Sequence, residues 1–180
     1  LDPDQAGRGF RPEMTRSPPQ APAMRPNVAE ILQDCPLFAA VPQASFQRLV
    51  VMATLRPFDS GALVFRQGEE CPGAYIVSHG LIRGYKTGAG GKEHVLHVVG
   101  PNQTFPEVAA IGGFALPASA QAVADSECVL LPSKPLRTAL DNDHPLCRGM
   151  LLGLSRWVRH LVDLMEDVVL RDAAGRLARY

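Results

Sequence analysis

Two textures of hydrophobic and polar positions divide the chain, and they predict different elements. Between Thr54 and about Pro132, apolar residues come in short runs: LVFRQ, AYIVSHG, LIRGYKTG, HVLHVVG, AQAVAD and ECVLLP. Gly, Pro, Asn and Asp punctuate the runs at intervals of roughly 8 to 12 residues, the mark of an antiparallel sandwich or barrel rather than of βαβ units. GAGGK, between two of the runs, predicts a flexible hairpin loop.

After His144-Pro145 the period lengthens. Cys147, Leu151, Leu154, Val158, Leu161, Met165 and Val168 follow one another in steps of 4, 3, 4, 3, 4, 3. Alternating fours and threes make a heptad seam, so this helix is expected to pair with a second copy of itself. The alternative is a helix buried only in its own domain. A second stripe (Gly153, Trp157, His160, Leu164) falls on one side of the seam and would face the helix's own β core. The remaining flank, with Arg148, Arg156, Arg159, Asp163 and Glu166, reads as solvated.

Shorter signals frame these two regions. Asn27 is a helix N-cap ahead of VAEILQD, and Pro36 ends that helix. A second helix follows Pro42, with Phe46, Leu49 and Val50 on one face. Residues 1–26 hold six prolines and little periodicity, so a disordered tail is expected. Near the other end Asp172 predicts the cap of a new helix holding Leu177 and Tyr180. A helix stopping at its second turn suggests a longer protein.

Composition narrows the function classes. Of 180 residues 46% are hydrophobic and 20% charged, enough to build a core. Formal net charge is zero, so no global field draws the chain to nucleic acid or an anionic membrane. Cys35, Cys71, Cys128 and Cys147 are scattered without CxxC spacing, which fits reduced thiols and excludes an iron–sulfur cluster. No run is long and apolar enough for a membrane span, and the amino end is polar.

One stretch carries the chemistry. FPEVAAIGGFALPASA, Phe105 to Ala120, has a turn, a carboxylate at Glu107, a short apolar helix and a second turn closing on Ser119-Ala120. That is the outline of a phosphate cradle, yet no Lys or Arg occurs between Lys92 and Lys134. A buried phosphate with no cation costs several kcal/mol.

These residues resemble the CRP/FNR family of bacterial transcription regulators. The resemblance rests on RQGE at Arg66 to Glu69, Gly80 to Arg83, the Phe105-Pro106-Glu107 cassette start, the long helix from about His144, and RDAAGRLARY. It covers Cys35 to Tyr180. The implied fold is mainly β with helices, an antiparallel double-stranded β-roll (jelly-roll, cyclic-nucleotide-binding-domain-like) followed by a long dimerisation helix. The implied organisation is a tail at 1–26, a β-roll sensor domain at 27–143, a dimerisation helix at 144–170, and the start of a winged helix-turn-helix DNA-binding domain at 171–180. The implied protein is a cytoplasmic homodimer whose effector controls DNA binding.

Departures from the family pattern shape the effector. Where cyclic-nucleotide-binding members carry Gly and Arg, this chain has Pro106 and Ala118. The proline removes an N–H donor and the alanine removes the cation, so cyclic AMP and cyclic GMP are not expected. VFRQGE, SAQAVADSE and LSRWVRHLVDLME are similar to the branch that senses nitric oxide through haem. That resemblance implies an effector site at Glu107, Val108, Ile111, Phe114, Ala118, Ser119 and Trp157, with His160 or His97 on the haem iron. The bare residues support this through an uncharged VAAIGGFAL wall and a histidine on the core-facing stripe. His94 and His97 lie at odd spacing on one strand, so only one can point inward. Periodicity does not choose between them, and the resemblance favours His97. Other readings compete: a sensor of another small apolar or anionic effector, a cyclic-nucleotide module of a channel or kinase, which the missing Arg opposes, and a cupin-type enzyme, which needs more inward histidines than HVLH offers. No nucleophile–base spacing argues for catalysis.

Overall fold

The apolar runs between Thr54 and Pro132 pair into two four-stranded antiparallel sheets facing one another. The computed structural model describes residues 27–88 and 90–177, and the side chains at 164 and from 167 onward lie outside that description. The expected tail, the seam residue Val168, the stripe residue Leu164 and Tyr180 therefore fall outside it. One sheet orders β1 (Thr54–Phe58), β8 (Ser126–Pro132), β3 (Gly73–His79) and β6 (Thr104–Phe105). The other orders β2 (Leu63–Phe65), β7 (Ser119–Ala122), β4 (Ile82–Thr87) and β5 (Glu93–Val99). Ile76, Val77, Val129 and Leu131 from the first sheet and Ile82 from the second are fully buried, and with Val99 they fill the core. An aromatic cluster continues it: Tyr75 stacks on Phe105 at 5.2 Å, and Phe65 lies 6.0 Å from Phe105.

Six of the eight strands coincide with the apolar runs. β1 (TLRPF) does not look like a strand, because it contains Pro57. It sits at a sheet edge, where a missing N–H is tolerated. GAGGK turns between β4 and β5, with Gly90 and Gly91 at φ of 93° and 80°, a region side chains avoid.

Helices flank the roll. α1 (Val28–Asp34) starts at Asn27, whose side chain and Glu30 form a reciprocal capping box. A 3₁₀ turn (Pro36–Phe38) leads to α2 (Gln43–Met52), which buries Phe46 and Leu49. α3 (Glu107–Gly112) lies in the cradle and ends on left-handed Gly113. α4 (Ser133–Asn142) buries Leu136. Its Pro135 falls in the first turn, where proline costs no hydrogen bond.

The long helix α5 runs from His144 to Leu177. Asp143 caps it: its carboxylate accepts from Leu146 N–H at 3.1 Å, Ser45 Oγ at 3.0 Å and Arg48 Nη1 at 3.1 Å. The Leu146 amide leads in holding this buried carboxyl below the ordinary range, and Ser45 and Arg48 add to it. α5 continues through Asp172 without the break expected there, since Asp-Ala-Ala-Gly-Arg-Leu holds no proline to end it.

α5 seats on the chain between α1 and α2 through two glycines one turn apart. A Cβ at Gly149 would lie 2.7 Å from Val41 Cα. At Gly153 it would fall far inside contact distance of the Leu37 carbonyl oxygen. Backbone meets backbone at both, so the helix has no room to yield without sliding. Gly153→Val is expected to destabilise by about 3 kcal/mol, lowering Tm by roughly 6–12 °C. A thermal melt unchanged within 2 °C (about 1 kcal/mol or less) would contradict this packing.

A cavity between the roll and the long helix

Small residues on β4 and β7 leave space where the roll meets α5. Gly84, Ala118 and Ala120 face a cavity of about 850 Å³, within the range that small-molecule ligands occupy. Its floor continues into the aromatic cluster through Phe65 and Phe105, and Ile82 and Val99 extend it. Cys35 and Leu37 close one end. α5 supplies the far wall. Gly153, Arg156, Trp157 and His160 follow the i, i+3, i+4, i+7 pattern of one helical face, and Leu154 lies beside them.

Most expected site residues converge here. Glu107, Val108, Ala118, Ser119 and Trp157 line the cavity, as do His97 and His160. His97 packs over Gly84, where a Cβ would lie 2.7 Å from its ring. Glycine at 84 therefore makes room for the imidazole. His94 pairs with Lys86 further along the strand and does not line the cavity.

Two expected residues do not converge. Ile111 is half-buried and packs on the hydrophobic core. Phe114 follows the left-handed Gly113, which turns the chain away from the cavity, and lies 47% exposed in a separate groove with Arg137. α3 has fewer than two turns, so only Val108 and Ala109 of its apolar residues reach the cavity.

Arg156 is exposed, as its flank of the helix reads, and also lines the cavity, the only Lys or Arg to do so among the described residues. Leu154, expected in the seam, packs partly on its own core as well. The floor residues Phe65, Ile82 and Gly84 come from three separated runs, and no local signal singles them out. Gly84, Ala120 and His97 come together only through the pairing of β4 with β5 and β7.

The electrostatics are those of a mainly apolar chamber. Burial pushes the Glu107 carboxyl above its ordinary value, and its own amide, the Thr104 hydroxyl and the His97 charge offset this only in part. Burial pushes the Cys35 thiol up to about 11, so it stays protonated at neutral pH. Arg83 does not serve the cavity: it bonds Gln121 at 2.9 Å, pairs with Glu93 at 2.7 Å and stacks on Tyr85. Ser119 Oγ accepts the Gln67 amide at 3.0 Å, tying the cradle to the RQGE turn.

The raised Glu107 value has a signed consequence. The unfolded group ionises near 4.5 and the folded one higher, so stability falls as pH rises from the first value through the second. Glu107→Gln removes that loss. The variant is expected to melt above the parent at pH 7.5 and with it at pH 4. An equal difference at both values would contradict the burial argument.

Residues 55–143 match the cyclic nucleotide-binding domain model. The sensor domain of the transcriptional regulator DNR from Pseudomonas aeruginosa superposes with a TM-score of 0.62 at 30% identity, covering 74% of this chain and 89% of that one. This chain belongs to the CRP/FNR family. Full-length DNR superposes with a TM-score of 0.70 at 30% identity, over 83% of this chain and 66% of that chain. The CRP-like cAMP-activated global transcriptional regulator of Mycobacterium tuberculosis is 24% identical over 83% of this chain and 67% of its own length. The chain thus spans about two thirds of these regulators. As a CRP/FNR member it is a sensor domain of the regulatory, non-enzymatic kind, built on the expected antiparallel roll with a carboxy-terminal helix. Among the described residues no helix is long and apolar enough to cross a membrane.

Proposed function

We propose that this chain is the effector-sensing and dimerising part of a DNA-binding regulator, and that its cavity takes haem and responds to nitric oxide. The observation that carries this reading is the cavity itself: apolar, without a cation on the cradle side, and faced by imidazoles from opposite walls, His97 on β5 and His160 on α5. The residues fit the group. About 850 Å³ with small side chains on the floor admits a large flat ligand, and two histidines offer nitrogen donors. Bound haem would supply an iron centre that nitric oxide can reach.

The chain's own residues would do the rest. Val108, Ala118 and Trp157 would exclude water from the ligand's apolar faces. His160 would hold the iron from α5, with His97 the less favoured donor. Trp157 is 54% exposed in the single chain, so a ligand would cover a large apolar surface on the helix. An effector that prefers one seating of α5 then biases the helix, and through it whatever follows.

The apolar face of α5 supports a dimer of two such helices. Leu151 is 58% exposed and Met165 68%, and Val158 and Leu161 lie exposed between them. A single chain leaves this heptad row in water, whereas a second copy would bury it.

Titration with haem, followed by absorption, tests the reading. The expected result is a sharp Soret band saturating at one haem per chain, shifted by nitric oxide, with a changed ferrous spectrum in His160→Ala. Spectra unchanged in both His160→Ala and His97→Ala would remove these histidines from the iron, and no saturable Soret band in the parent protein would remove the haem reading.

A further inference from the structure

The cation that a phosphate cradle carries at its second turn is absent here, where Ala118 stands, and a cation faces the same cavity from the other side. Arg156 stands on α5 one turn beyond Gly153, the point at which the helix is seated on the Leu37 carbonyl. It shares its helical face with Trp157 and His160. Among the described residues it forms no ion pair, unlike Arg48 with Asp143 and Arg83 with Glu93. The cavity's one carboxylate, Glu107, sits on α3, and burial favours its neutral form. The one Lys or Arg that lines this chamber among the described residues therefore belongs to the helix, and it is in no ion pair. Being exposed while lining the cavity, Arg156 stands at its rim.

From this we infer that the effector is an apolar acid whose acidic group is held by Arg156. This deepens the reading of the cavity as the effector site and rests on it. The guanidinium presents two parallel N–H donors that match a carboxylate, at a rim where the acid keeps part of its hydration while its apolar body enters the floor. The arrangement relocates the ligand's charge contact from the roll to the dimer helix. A cation on the cradle would fasten the ligand to the roll alone. Arg156 ties the ligand's acid to α5, so occupancy acts on the helix through a charged bond as well as through the Trp157 surface. Specificity follows: a neutral ligand of equal size fills the floor without engaging the helix cation.

Two fluorescent probes separate charge from shape. 1-Anilinonaphthalene-8-sulfonate is an apolar anion, and N-phenyl-1-naphthylamine is its uncharged counterpart. In the dimeric protein both are expected to bind. Arg156→Gln should weaken the sulfonate roughly 5- to 20-fold, the loss of one charge-assisted contact, and leave the neutral dye unchanged. Arg156→Lys should recover most of the sulfonate affinity. Arg159→Gln, a neighbouring cation outside the cavity, should change neither. Equal weakening of both dyes by Arg156→Gln, or an equal effect from Arg159→Gln, would overturn the assignment. Failure of both dyes to bind would overturn the cavity reading together with it. If the dye pattern holds while haem does not bind, the haem reading falls and the role of Arg156 stands.

Discussion

Val158→Asp combined with Leu161→Asp is expected to leave the protein monomeric at concentrations where the parent is a dimer, with the dimer dissociation constant raised ~1,000-fold or more. The arithmetic is direct. Each chain would carry two carboxylates into an apolar seam, at a cost of several kcal/mol for each unpaired charge, and about 1.4 kcal/mol is a factor of ten. Val158 (53% exposed) and Leu161 (37%) are the right positions, because neither packs on the chain's own hydrophobic core. Leu154 is a poor choice despite its place in the heptad. It packs on that core and lines the cavity, so its loss would confuse folding with association. Sedimentation velocity reads the outcome, and circular dichroism should show α5 retained. A double variant that still sediments as a dimer would place the interface elsewhere.

The second large effect is an absence of cyclic-nucleotide binding. The Mycobacterium tuberculosis relative is described as cAMP-activated, and in this chain Pro106 and Ala118 stand in the cradle. Ala118 offers no charge, the preceding turn carries Pro106 without an N–H, and Ser119 already accepts the Gln67 amide. A phosphate seated on the cradle side, where Ala118 and Pro106 offer neither cation nor N–H, loses several kcal/mol, which moves a micromolar site to roughly millimolar or weaker. Calorimetry with cyclic AMP or cyclic GMP is expected to show no saturable heat at 100 μM (a dose ~10-fold below such a constant). Ala118→Arg alone should not restore binding, since it returns the charge but not the donor at position 106. Micromolar affinity for either nucleotide in the parent protein would overturn this.

How much was legible in the sequence follows from where each signal lives. Strands that alternate or run apolar between turn residues declared themselves, and six runs became six strands. β6 has two residues and β1 contains Pro57, so neither offered a period to read; pairing partners made them strands. α4 was overlooked because Pro132 and Pro135 resemble a loop until Pro135 is seen in a first helical turn. The cradle's chemistry was readable because absence is readable: no cation between Lys92 and Lys134 needs no coordinates. The cavity's floor was not, because Phe65, Ile82 and Gly84 meet only through sheet pairing. Ile111 and Phe114 failed for a local reason, the left-handed Gly113 ending α3 early. Arg156 is exposed as arginines flanking a heptad usually are, and its place at the cavity rim has no sequence signal. Only the seating of Gly153 on Leu37 fixes how the helix is turned about its axis. No new helix starts at Asp172, because an N-cap residue type with helix-compatible neighbours on both sides remains within the helix.

We propose the hollow between the roll and α5 as an effector site for haem held from the helix. A crystal structure of the haem-loaded dimer tests it most directly. The account predicts the macrocycle inside the cavity, against Val108, Ala118 and Trp157, with the His160 ring on the iron and Arg156 on a propionate. Haem bound outside the cavity, or an empty cavity in a haem-loaded crystal, would contradict it.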